Sequence, residues 1–193
     1  MKFDLTQEQK MIKDMTQKFA TEELDKGSVK RDIEKIWPKD QVSKMADLGL
    51  LGIMIDSDWG GNNMDTISYC IAMEEIAKVD ASAAVIMSVN NSLVCYIFEK
   101  YANNEQKEKY LIPLAKGTKL GCFSLSEPQS GSDASNMNVH AKQDGDDFII
   151  SGTKNWVTNG INSDIIMLFC LTEKDVGHKG ISCFIVDKNT DGV

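Results

Sequence analysis

The hydrophobic period of this chain changes once, at residues 116–119, and that change constrains the fold more than any other feature. Ahead of it, apolar residues recur at the three-to-four-residue spacing of a helix face. Behind it, short apolar runs are separated by Gly, Asn and Asp. One face is revisited about every 3.6 residues in a helix and every second residue in a strand, so the two halves belong to different layers. Helices followed by strands, instead of alternating with them, indicate an α+β multi-domain chain. The expected organisation is an N-terminal all-α helical bundle over 1–118 joined to a β-sheet or β-barrel domain over 119–193.

In the first half, Thr6 and Gln9 form a capping box ahead of Met11, Ile12, Met15 and Phe19, and Lys26-Gly27 ends the run. Pro38 opens a second helix, with Val42, Met45 and Ala46 on one face, and Gly49 ends it. A loop at 58–63 follows, rich in Gly and Asn. Asp65 caps a third helix and Asp80 a fourth. The fourth, 81–101, is apolar on most faces and is expected in the middle of the bundle. Asn104 caps a fifth, ended by Gly117. In the second half, 120–126, 148–151, 165–171 and 181–186 read as strands. Four or five strands are few to close a β domain without exposed edges, so the β domain is expected to be incomplete at its C-terminal end.

A formal charge of -8 argues against a nucleic-acid partner, whose phosphates require clustered Lys and Arg. The five cysteines show no metal spacing; each sits among apolar residues, as buried thiols do, and their odd number suits a reducing compartment. No apolar run reaches the ~18 residues of a membrane span. Met1-Lys2-Phe3-Asp4-Leu5 runs directly into a helix signal and leaves no room for a targeting peptide, so a cytoplasmic location is expected.

Two segments carry the chemistry. In 122–133, an apolar strand ends at Ser126, Pro128 forces a turn, and Ser130-Gly131-Ser132 gives a small-residue bend. Such a bend lets backbone amides approach an anion closely; a plain turn with hydroxyls bonding their own backbone fits the residues equally well. In 152–160, Asn159-Gly160 signals a turn, Trp156 beside a strand end reads as core, and Thr158 reads as an ordinary strand residue.

Ser126-Glu127-Pro128-x-x-Gly131-Ser132-Asp133, followed by Gly152-Thr153-Lys154-x-Trp156-Val157-Thr158-Asn159-Gly160, closely resembles the acyl-CoA dehydrogenase family. The resemblance extends over the whole chain, including Trp59-Gly60-Gly61 and Ile112-Pro113-Leu114-Ala115-Lys116-Gly117, and the stretch 86–93 resembles the short-chain branch. It implies FAD as cofactor, with Phe123, Ser124, Leu125, Ser126, Gly131 and Ser132 lying along it and Trp156, Val157 and Thr158 packing on its ring system. Ser132 would also face the acyl-CoA, and Thr158 the hydride-accepting nitrogen, while Glu127 and Asp133 would hold the turn.

The implied reaction is α,β-dehydrogenation of a short-chain acyl-CoA thioester to trans-2-enoyl-CoA, a step of fatty-acid β-oxidation. The implied electron acceptor is an electron-transfer flavoprotein, and the implied full-length assembly a homotetramer. The catalytic base is expected in a C-terminal helical domain that this sequence does not include, so none of its residues is a catalytic candidate. Medium-chain or branched-chain activity remains open, as does an inactive truncated binding or assembly module. For 86–93, a wall that limits the depth of the acyl pocket and a buried helix whose asparagines need partners stand side by side.

Overall fold

A computed structural model describes residues 4–193; residues 1–3, on which the expectation of no targeting peptide partly rests, lie outside that range. The chain separates into two compact units, Met1–Lys119 and Leu120–Val193.

In the helical unit, α1 (Gln7–Phe19) starts at a complete capping box: the Gln9 N–H donates to Thr6 Oγ1 and the Thr6 N–H to Gln9 Oε1, each at 3.1 Å. It runs on as a π turn, Ala20–Leu24. Then comes α2 (Ser28–Glu34), which periodicity does not detect because it has no buried residue to set a period: Val29 and Ile33 are exposed. The bundle continues with α3 (Lys39–Asp47) and α4 (Thr66–Ala77), the latter capped by Asp65, whose carboxylate accepts the Ser68 N–H at 2.6 Å.

Next, α5 (Ala81–Ser88), a π stretch (Val89–Cys95) and α6 (Tyr96–Tyr101) form one continuous rod. Last come α7 (Asn104–Gln106) and α8 (Ile112–Ala115). The cap of α7 is Asn103, not Asn104: its side chain accepts the Gln106 N–H at 2.8 Å, and Gln106 Oε1 accepts the Asn103 N–H in return. Only the first of the two adjacent asparagines has a glutamine three residues on. Phe19, Leu24, Met45, Leu50, Ile76 and Met87 form the centre of the core, where α1 packs on α4 and α4 on α5.

The rod is not surrounded on all sides within this unit. Ala83, Ala84, Met87, Asn90, Asn91, Val94 and Phe98 are buried, whereas Val85, Leu93 and Tyr96 are exposed. Among the described residues it is the one helix long and apolar enough to cross a membrane by length and composition. That corrects the expectation that no such run exists: Ser88, Asn90, Asn91 and Ser92 interrupt the apolar letters without lowering the average enough. More than half of the stretch is buried in the helical unit, which gives its apolarity a core-helix cause.

The two asparagines are satisfied inside that core. Asn91 accepts the Ile53 N–H at 2.9 Å and donates to the Leu50 and Met87 carbonyls at 2.8 and 3.0 Å. Asn90 donates to the Leu51 and Leu114 carbonyls at 2.9 and 3.0 Å. Together they fasten the rod to the buried 3₁₀ turn Leu50–Gly52 and to α8, at the point where the helix widens to π geometry. Both asparagines are thus partnered, and Met87 belongs to the core.

The second unit is a mixed sheet of β1 (Gly121–Ser124), β2 (His140–Asp144), β3 (Asp147–Ser151), β4 (Ile165–Leu171) and β5 (Ile181–Asp187). β4 is its spine. It runs parallel to β1 from Ile165 to Leu168, meets β2 in parallel at Leu171, and pairs antiparallel with β5 along its whole length. β2 and β3 form an antiparallel hairpin. β2 is invisible to periodicity because His140-Ala141-Lys142-Gln143-Asp144 holds a single buried residue, Ala141, among polar ones. Among the described strands, β1, β3 and β5 each pair with a single neighbour and keep one edge unpaired.

All five thiols are free. Cys95, Cys122 and Cys170 are buried, but Cys70 and Cys183 are exposed, contrary to the expectation from their apolar neighbours.

Candidate functional site

The two motif segments become two loops of the β unit. The first leaves β1 at Leu125 and Ser126, then doubles back over Pro128: the Glu127 N–H donates to the Ser130 carbonyl at 2.9 Å and the Ser130 N–H returns to the Glu127 carbonyl at 3.1 Å. Ser130 Oγ donates to the Asp133 carbonyl at 2.8 Å, and Ser135 Oγ to the Asp133 carboxylate at 2.5 Å. Both bonds hold the turn locally. Gly131 and Ser132 are exposed at the bend, and a Cβ at Gly131 would meet nothing within 4 Å.

The second loop leaves β3 at Gly152, where φ is 139° and a Cβ would lie 2.6 Å from Val139 Cγ2. Only glycine satisfies both conditions. Two residues later Lys154 turns its side chain inward, where 7% of it is exposed, to meet Glu127, whose side chain is 1% exposed. Lys154 Nζ donates to Glu127 Oε1 at 2.7 Å and to the Leu125 carbonyl at 2.8 Å. The next residue adds a backbone bond, from the Asn155 N–H to the Ser126 carbonyl at 2.8 Å. Glu127 accepts three further donors: Gln129 Nε2 at 2.6 Å, the Asn138 N–H at 2.5 Å and the Val139 N–H at 3.1 Å. A buried charge pair holds only when hydrogen bonds compensate its lost hydration, and here the carboxylate accepts four donors and the ammonium has two acceptors.

Burial pushes the Glu127 carboxyl upward, but Lys154, the Asn138 N–H, Gln129 and the Val139 N–H outweigh it and hold the group below the ordinary carboxylate value. A depressed folded-state pKa gives stability that is present above the unfolded value of about 4.3 and lost as the pH falls through the lower folded one. This contribution to the stability of the β unit is therefore expected to be whole above about pH 5 and to shrink progressively as the pH falls below about 4. Glu127→Gln should flatten that acid limb, as read by denaturant unfolding at a series of pH values. An acid limb as steep in Glu127→Gln as in the wild type would contradict this origin.

Beyond the clamp, the chain enters a strained turn. Trp156 has a φ of 57° and is 91% exposed. That corrects its reading as a core residue. A bulky residue in left-handed geometry with its ring in solvent is a marked outlier, of the kind that clusters at ligand sites. Val157 and Thr158 are half-buried. Asn159, also left-handed at 67°, is buried, and its amide donates to the Gly121 carbonyl at 3.1 Å. Its Oδ1 is a buried acceptor without a partner. Phe123 is half-buried against Phe169, ring centroids 4.8 Å apart, and Ser124 is buried.

The structure thus joins Leu125 and Ser126 to the start of the segment bearing Trp156, Val157 and Thr158, and leaves Gly131 and Ser132 at a separate exposed bend. Sequence reasoning missed Lys154 as the joint. A lysine 27 residues from its glutamate carries no local signal; only the demand that a buried Glu127 find a partner could have found it.

A helical unit, followed by a mixed sheet with two clamped loops and an outward-turned tryptophan, defines a two-domain chain. The sequence model described as "Acyl-CoA dehydrogenase, N-terminal domain" matches residues 6–118, and "Acyl-CoA dehydrogenase, middle domain" matches 122–193. The chain belongs to the acyl-CoA dehydrogenase family.

Among its relatives, the short-chain specific acyl-CoA dehydrogenase of Clostridium acetobutylicum is 38% identical over 192 residues, covering 100% of this chain and 51% of that protein. The mitochondrial short-chain specific enzyme of Homo sapiens is 40% identical over 190 residues, covering 98% and 46%. The butyryl-CoA dehydrogenase structure from Megasphaera elsdenii superposes with a TM-score of 0.94 at 35% identity, covering 100% of this chain and 51% of that one. A chain in the structure of the electron transferring flavoprotein of Acidaminococcus fermentans gives 0.96 at 40%, covering 100% and 50%. The chain spans about half the length of the curated relatives it matches.

Proposed function

We propose that this chain supplies the N-terminal and middle domains of a flavin-dependent dehydrogenase that oxidises short-chain acyl-CoA thioesters to trans-2-enoyl-CoA. The observation that carries the reading is Trp156: an aromatic ring 91% exposed, on a strained backbone anchored to the β1 loop. Such a ring is a ready platform for a flat cofactor, and FAD fits the site in this respect. Leu125, Ser126, Trp156, Val157 and Thr158 would hold its ring system, with Phe123 and Ser124 behind them on β1. Gly131 and Ser132, open at their bend, would serve its phosphates, and Ser132 the acyl-CoA as well.

Bound FAD supplies the acceptor for the β hydrogen of the thioester. The protein's part is to place hydroxyl and amide donors where negative charge gathers on the ring and to exclude water there. No residue of this chain is assigned as the base that takes the α proton. That role falls to a carboxylate in the part of the relatives' length that the chain does not span. In this reading the electron acceptor is an electron-transfer flavoprotein, the full-length protein a homotetramer, and its location the cytoplasm. The short-chain preference is supported by the relatives named above.

Thr158→Ala in the full-length protein tests the assignment. A hydrogen bond to a group gaining charge is worth about 1.5–3 kcal/mol, so its loss should slow flavin bleaching by butyryl-CoA about tenfold or more. The flavin potential should fall, with acyl-CoA affinity nearly unchanged. An unchanged potential and bleaching rate would remove Thr158 from the site.

A further inference from the structure

The Glu127–Lys154 pair fastens the two loops, but its geometry gives it a second capacity. Lys154 Nζ does not stop at its carboxylate; it also donates, at 2.8 Å, to the carbonyl of the peptide linking Leu125 to Ser126. The same peptide unit carries the Ser126 N–H. A full positive charge on the carbonyl oxygen polarises the whole amide and strengthens its N–H as a donor. Glu127 holds the balancing negative charge one bond further away, fixed by three other donors. Both charges are nearly water-free, so neither is screened as a surface charge would be. The Cys170 thiol on β4 also lies within the field of both.

We propose that Lys154 is a positioning residue that also acts electrostatically. Through the Leu125–Ser126 peptide it favours the electron-rich form of the cofactor, and Glu127 sets how far. This inference rests on the proposed flavin reading and extends it to two residues that do not themselves touch the ring. A purely structural clamp predicts that removing either partner loosens the loops in the same way. A charge device predicts opposite effects. Lys154→Gln leaves a lone negative charge beside the site, and Glu127→Gln leaves a lone positive one.

The test uses the full-length protein loaded with FAD, comparing its dissociation constants for oxidised and dithionite-reduced FAD in wild type and both variants. Lys154→Gln should raise the reduced-to-oxidised ratio on the order of tenfold, the size one charge exerts across several ångströms at an effective dielectric of about 20. Glu127→Gln should lower it. Should a single variant fail to fold, the double variant Glu127→Gln/Lys154→Gln leaves no lone buried charge. Its ratio is expected between those of wild type and Lys154→Gln, because of the two charges only the ammonium bonds the Leu125–Ser126 peptide. Single variants that move the ratio the same way, or not at all, overturn the inference, as does a double variant at or below wild type. A wild type that takes up no FAD overturns the functional reading and this inference with it; a wild type that holds FAD isolates the failure to the inference alone.

Discussion

Lys154→Met is expected to destabilise the β unit by about 3–5 kcal/mol, the largest single-residue effect the structure implies there. The methionine would fill the space but leave Glu127 buried with its charge uncompensated, and the Leu125 carbonyl without its donor. The three remaining donors to Glu127 soften the loss without replacing a cation. Because Lys154 joins the loop after β1 to the loop after β3, its absence should also free residues 125–130 and 152–158 for hydrogen exchange. Urea unfolding measures the first effect and amide exchange the second. A loss below about 1 kcal/mol would mean that the pair behaves as an exposed one, against the burial seen here.

The second large effect belongs to the helical unit. Asn91→Ala is expected to cost about 2–5 kcal/mol, since it strips partners from the buried Ile53 N–H and Leu50 carbonyl and leaves a void in the core. Asn91→Leu restores the volume but not the bonds, so it should rescue little. That comparison separates packing from polarity. The Ile53 amide should exchange with solvent far faster in both variants, because the side chain that fixes the 3₁₀ turn against the rod is gone. A leucine variant as stable as the wild type would show that the bonds contribute nothing net.

Both effects concern polar groups inside the fold, and these were the hardest to read from the chain. Periodicity was enough to separate helices from strands and to find the caps at Thr6, Asp65 and Asp80, because each is a local pattern within one turn. It failed at α2, whose apolar residues face outward, and at β2, whose residues are mostly polar; neither element has a buried face to set a period. The cap of α7 slipped by one residue because two asparagines stand together.

The candidate site divided in the same way. Small residues and Pro128 marked the first loop, and Asn159-Gly160 marked the second turn. The joint between them, Lys154 with Glu127 and the Asn155 N–H with the Ser126 carbonyl, links residues distant in sequence and left no local trace. Trp156 misled for a physical reason. A tryptophan beside a strand end belongs to the core unless the backbone turns it out, and the left-handed φ that does so has no signature in a residue other than glycine, asparagine or aspartate.

The most direct measurement is an anaerobic titration of the full-length protein with butyryl-CoA while the flavin absorbance is followed. The purified protein is expected to carry FAD, and its absorbance to bleach on mixing. Octanoyl-CoA should bleach it markedly more slowly, and replacing Trp156 by glycine should lower FAD retention while leaving the helical unit folded. A full-length protein that binds no FAD, or whose bound FAD keeps its full absorbance in excess butyryl-CoA, would contradict the account.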